Sequence, residues 1–153
     1  MITTAVESLR NGGLEEIRQL LDGHYHELSV HHEKGYPLNP RYQVYLNREA
    51  IGEVLYVTLR DKGKLVGYFV GFLAPGLHYF DCLTLQLDIF YVLPEYRGNA
   101  HGKKLMAHVH KAAKDKGANL WIMGLKEAHR PHMEKLLLEC GFEPFERHYS
   151  LWL

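Results

Sequence analysis

The order of apolar and polar positions divides the chain into two rhythms. Leu14, Ile17, Leu20, Leu21, Tyr25 and Leu28 recur at helical steps. Asn11-Gly12-Gly13 precede them as a start signal, and Glu15 and Glu16 fall in the first turn, where negative charge suits the helix dipole. Ile2 to Leu9 reads as an edge strand, and His31 to Pro40, broken by Gly35, Pro37 and Pro40, as a loop. A weaker helix passes through Tyr42, Tyr45, Leu46 and Glu49. Val54 to Leu59 and Leu65 to Leu73 are strands joined by the hairpin turn Asp61-Lys62-Gly63-Lys64, with another turn near Pro75-Gly76. Leu83 to Leu93 is apolar at nearly every position, as in a central strand covered on both faces.

The second half alternates. Lys103 to Lys116 is a helix with Leu105, Met106, Val109, Ala112 and Ala113 inward and Gly117 at its end. Leu120 to Leu125 is a buried strand. Pro131 opens a last helix, whose Met133, Leu136, Leu137 and Cys140 face inward before Gly141. Phe142 to Leu153 closes with one bent strand or two short ones. The order β-α-α-β-β-β-α-β-α-β predicts an α/β fold, a mixed sheet of about six or seven strands with helices on both faces.

Composition narrows the function classes. The chain has 153 residues, 46% of them apolar, which suits a single domain over residues 1–153 with a continuous core. Lys plus Arg and Asp plus Glu both number 18, so no basic excess supports general nucleic-acid binding. No apolar run approaches the roughly 20 residues of a membrane helix, and Met1 to Ala5 lacks the features of a signal peptide. Cys82 and Cys140 are too few for a disulfide framework, so a reducing, cytoplasmic setting is expected.

The chemically informative stretch runs from Leu87 to Leu105. An apolar strand stops at Pro94, turns, and enters a helix through small residues. Backbone N–H groups at such a junction converge with the helix dipole into an anion site suited to a pyrophosphate. Gly98 and Gly102 enclose three residues before Lys103-Lys104, which fails the Walker spacing, and Gly98-Asn99-Ala100-His101-Gly102 lacks the dinucleotide order.

The run Val92-x-Pro94-x-x-Arg97-Gly98-x-Ala100-x-Gly102-x-x-Leu105 resembles the acyl-CoA signature of the GNAT superfamily of N-acetyltransferases. Gly141-Phe142 after a helix resembles the superfamily's second landmark, and the element order is similar throughout. This resemblance implies the GNAT fold, acetyl-CoA as acyl donor, and acetyl transfer to a primary amine by direct attack on the thioester. It implies that Phe90, Tyr91, Val92 and Leu93 pair with the pantetheine arm. Backbone groups of Arg97, Gly98, Asn99, Ala100, His101 and Gly102 would hold the pyrophosphate, with Lys103, Lys104 or Lys111 near the 3′-phosphate. The thioester would lie between the central strand and Leu120 to Gly124, its carbonyl polarised by an N–H near Val92. The tail Glu146 to Ser150 with Trp152-Leu153 is similar to compact GNAT-like proteins of bacteriophages.

Two positions depart from the pattern. Ala100 replaces the middle glycine, at a cost of about 1–2 kcal/mol if a left-handed backbone is required there. Leu137 stands where many members carry a tyrosine that protonates the leaving thiolate. These departures support an alternative, a GNAT-fold binding or structural module without transfer chemistry.

Candidate catalytic groups follow. Asp88, acidic in an apolar strand, is the candidate base or amine-orienting group, and Gln86 alternates onto its face. Its plainer role is to satisfy a neighbouring loop or helix end. His129 and His132, at the start of the last helix, are candidate acids or simple caps, and Tyr149 is a third candidate. His24-Tyr25-His26 and His31-His32 lack a metal-ligand spacing, so no metal is expected. The resemblance implies that His31, His32, Glu33 and Tyr36, in the loop after the first helix, influence acceptor choice, and a solvated loop is their simpler role. Edge strands near the termini would allow a homodimer.

Overall fold

The computed structural model describes residues 1–153, the Leu28 side chain excepted, so the last position of the first helical period lies outside the described residues. The described strands are β1 (Ile2–Val6), β2 (Val54–Asp61), β3 (Lys64–Gly76), β4 (Tyr79–Val92) and β5 (Leu120–Ile122). They form one sheet in the order β1-β2-β3-β4-β5, antiparallel except for the parallel pair β4–β5. The helices are α1 (Leu14–Leu28), α2 (Tyr42–Ala50), α3 (His101–Asp115) and α4 (Arg130–Glu139).

Each sheet face buries its own core. On one side α3 packs Leu105, Val109, Ala112 and Ala113 against Leu55, Val57, Leu59, Phe69 and Leu85. On the other, Leu9, Ile17 and Leu21 meet Val54, Tyr56, Tyr68 and Val70. The bend that swings β1 into α1 has a specific latch. Glu49 of α2 accepts hydrogen bonds from Ser8 Oγ at 2.8 Å, Leu9 N at 2.7 Å and Arg10 N at 3.1 Å. Gly13 is required there, since a Cβ would lie 2.6 Å from Tyr56 Cε1 and 2.7 Å from the Ser8 carbonyl oxygen.

Several expectations are corrected. The sheet has five described strands, not six or seven, because Phe142 to Leu153 forms no strand. Its alternation resembles a strand, but Pro144 cannot donate to a ladder. Instead the tail carries Trp152 across to stack on Tyr36 at 5.6 Å. Strand β5 ends at Ile122 instead of Leu125. Strand β3 runs through Pro75-Gly76, so the turn falls at residues 77–78. Cys140 is exposed beyond the end of α4 instead of facing inward.

Candidate active site

The site begins where two parallel strands part. Pairing of β4 with β5 ends at Gln86 and Ile122, leaving Leu87 to Val92 without a β5 partner. Leu93 N–H donates to Val66 O at 2.9 Å, on the β3 side. By antiparallel alternation the backbone groups of Phe90 and Val92 therefore face the open edge. Arg97 Nε, which donates to Val92 O at 2.8 Å, marks that direction.

Strand β4 leads through the turn Pro94–Tyr96 into a loop with Gly98 at φ +82° and Ala100 at φ +61°, ψ +6°. Ala100 is thus left-handed and carries the strain that its methyl entails. It is the N-cap of α3, which has no side-chain cap. The first helical bond runs from Lys104 N to Ala100 O, so the N–H groups of His101 to Lys103 are directed out of the helix end. No atom comes within 4 Å of a Cβ built on Gly98. A strand edge with free backbone groups, ending on an uncapped helix N-terminus, fits an elongated ligand with an anionic end.

Asn99 apart, the polar side chains of this loop and the first turn of α3 bond to other parts of the protein. The Arg97 guanidinium makes a two-point ion pair with Glu27 of α1, at 2.5 and 3.0 Å, and lies 5.4 Å from the Tyr91 ring centroid. The Arg97 hydrogen bonds hold the Glu27 carboxyl below its usual range, and those of Glu27 push the guanidinium up. His101 Nδ1 lies 2.9 Å from Tyr96 O, Lys103 pairs with Glu139 at 2.7 Å, and Lys104 donates to Ile2 O. Asn99 is exposed. The groups this loop leaves open to an anion are therefore backbone N–H groups, and Arg97 braces the loop to α1.

On the α1–α2 side lies a cavity of about 390 Å³. Leu9, Leu14, Ile17, Leu21, Val70 and Ile89 give it apolar walls, and Asp88 is the carboxylate that reaches it. Tyr45 Oη donates to Asp88 Oδ2 at 2.6 Å. Burial raises the Asp88 pKa, against the lowering effects of the Tyr45 hydrogen bond and the Arg48 charge. Gln86 does not reach this cavity; it lines a second groove beyond β5, with Trp121 and Phe142. The loop from His31 to Pro40 supplies Tyr36 and Leu38 to the cavity's rim, while His32 and Glu33 are exposed outside it.

His24, set aside above on metal spacing alone, belongs to this site. It lines the cavity, stacks on Tyr91 at 4.4 Å, and places Nδ1 3.3 Å from Tyr68 Oη. Burial lowers its pKa to about 4, so the ring is neutral at pH 7. Glu27 and Tyr45 were likewise not singled out. Inward-facing positions on amphipathic helices that carry polar tips were the available signal. Of the candidate acids, His129 is drawn in, with Nε2 3.1 Å from Glu27 O. His132 and Tyr149 are exposed and line neither cavity. Leu137 is buried.

Residues 6–142 match the profile described as the Acetyltransferase (GNAT) family. Among solved structures, a ribosomal-protein-alanine N-acetyltransferase from Brucella melitensis biovar Abortus 2308 is 17% identical, with TM-score 0.71 and coverage of 99% of both chains. An aminoglycoside acetyltransferase from an uncultured soil metagenomic sample is 12% identical, with TM-score 0.76 and coverage of 100% of this chain and 99% of that one. AAC(6')-Iy, solved with the bisubstrate analogue CoA-S-monomethyl-acetylneamine, is 17% identical, with TM-score 0.74 and coverage of 100% and 98%. No curated protein matches the chain.

Proposed function

The chain belongs to the GNAT family of acetyltransferases, and from that premise we propose that it transfers acetyl from acetyl-CoA to a primary amine held at Asp88. The observation that carries the reading is the open β4 edge, which runs from a carboxylate in a cavity to an uncapped helix N-terminus. The donor supplies an activated acetyl thioester. The backbone groups of Phe90 and the N–H of Val92, whose carbonyl Arg97 occupies, align its arm, and the N–H groups of the Gly98–Lys103 segment take its pyrophosphate. Asp88 anchors the incoming ammonium and accepts its proton, a task helped by the burial that raises its pKa. His129, held beside Glu27, serves as proton donor to the departing thiolate in place of the tyrosine that Leu137 replaces.

Calorimetric titration of acetyl-CoA into the wild type and Gly98→Glu tests the donor site, with circular dichroism confirming that both are folded. Binding that the substitution abolishes is expected. Failure of the folded wild type to bind would sink the reading. CoA release with an accepted amine should fall at least tenfold in Asp88→Ala.

The module without chemistry drew on Ala100 and Leu137. Ala100 adopts the left-handed geometry of the loop, and Asp88 faces a cavity, so transfer is the reading favoured. No described helix is long and apolar enough to cross a membrane. The free thiols Cys82 and Cys140 suit the reducing cytoplasm, and the tail's resemblance supports a phage-type member. The outer edges of β1 and β5 would pair two copies in a homodimer.

A further inference from the structure

The lining of the α1–α2 cavity bears on which amine is acetylated. Among the described lining residues Asp88 is the only carboxylate and Lys126 the only lysine or arginine. His24 adds no charge at pH 7, because burial keeps its ring neutral. The remaining wall is mainly aliphatic and aromatic, with Ile17, Leu21, Val70 and Ile89 at the base and Tyr25, Tyr36 and Tyr42 above, and Ser29, His31 and Asn39 as its other polar positions. Tyr45 Oη occupies one lobe of the Asp88 carboxylate, which leaves the rest for a single cation.

We propose that the acceptor is a monoamine with a flat apolar body, an arylalkylamine in chemical class, its ammonium on Asp88 and its ring between the aliphatic base and the tyrosines. A polyamine would bring ammonium groups that find no second carboxylate and meet Lys126 instead. Desolvating an unpaired charge is strongly unfavourable, so the cavity selects against such acceptors. An apolar ring gains from the same walls. The upper wall is fixed from two sides. Tyr25 Oη donates to Tyr36 O, and Trp152 stacks on the Tyr36 ring at 5.6 Å.

This inference rests on the transferase reading, so its test separates the two. Binding of 2-phenylethylamine and tryptamine is measured by calorimetry without acetyl-CoA, in the wild type, Asp88→Asn and Leu38→Glu. CoA release is then measured with those amines, spermidine, neamine and a peptide beginning with alanine. The expected result is monoamine binding that weakens at least tenfold in Asp88→Asn. The kcat/KM for monoamines is expected to be at least 100-fold above that for spermidine, neamine and the peptide. Leu38, 40% exposed at the rim, tolerates a carboxylate, and Leu38→Glu should narrow the gap between monoamine and spermidine at least fivefold. Preferred turnover of neamine, spermidine or the peptide would overturn the acceptor class while leaving the transferase reading intact. Monoamine binding without any acetyl-CoA binding would uphold the cavity's selectivity and overturn the transferase.

Discussion

Ala100→Gly isolates the conformational cost at the head of the anion loop. Ala100 is exposed, with φ +61° and ψ +6°, so removing its methyl sacrifices little packing. An L-residue in the left-handed region costs about 1–2 kcal/mol, and glycine removes that cost. Glycine also loosens the unfolded chain, which offsets about 0.4–1 kcal/mol of the gain. The net stabilisation is about 0.5–1 kcal/mol, a rise in Tm of about 1–4 °C for a domain of this size. Gly98→Ala is the matched opposite. Its backbone sits at φ +82° and no atom lies within 4 Å of the added carbon, so only the conformational cost acts. It should lower Tm by about the same amount. Differential scanning calorimetry of the two variants beside the wild type reads both shifts. Acetyl-CoA affinity in Ala100→Gly should stay within about twofold, because the N–H groups keep their directions. A drop in Tm for Ala100→Gly, or shifts of the same sign in both variants, would refute the reasoning.

Three further substitutions probe other parts of the molecule. Tyr45→Phe removes the 2.6 Å hydrogen bond that favours ionised Asp88, so the Asp88 pKa rises further and the acidic limb of kcat/KM against pH moves to higher pH; an unmoved limb would separate Asp88 from the reaction. Arg60 binds Glu7 at 2.7 Å and Glu16 at 2.6 Å, tying β1, β2 and α1, and Arg60→Met should cost about 1–3 kcal/mol in urea melts at neutral pH. The Glu7 pKa is depressed chiefly by its Arg60 hydrogen bond, so that stability is present above the unfolded carboxylate pKa and lost as pH falls through the folded one; the variant's acid decline should be shallower than the wild type's. Trp152→Ala frees the loop that Tyr36 anchors, and should raise the amine KM about three- to fivefold at constant kcat with acetyl-CoA affinity unchanged, steady-state kinetics and calorimetry giving the two readings.

What was legible in the sequence is what short-range pattern encodes. The turn from β4 into α3 is written in consecutive residues, Pro94 to Gly102, and the periods of α1 and α3 are written in their apolar stripes. The pairs that shape the site join distant positions. Asp88 meets Tyr45 across 43 residues, and Arg97 meets Glu27 across 70. No local period records either partnership. The tail misled because its alternation resembles that of a strand, whereas Pro144 denies it a ladder donor and Trp152 has a better partner in Tyr36.

Strand β4 shows how a small irregularity shapes the cavity. Simple alternation would send Asp88 and Ile89 to opposite faces of the sheet. The register instead runs Leu87 opposite Gly71 and Ile89 opposite Val70, leaving Asp88 as an extra residue in a bulge. Both Asp88 and Ile89 therefore line the cavity, while Leu87 and Phe90 remain with the α3 core. Gly71 is part of this arrangement, since a Cβ there would lie 2.7 Å from both Leu85 Cδ1 and Phe69 Cε1. A side chain at position 71 would have to displace those core groups next to the bulge. The bulge thus gives one cavity both its charge and its apolar floor, the combination that a monoamine with an apolar ring requires.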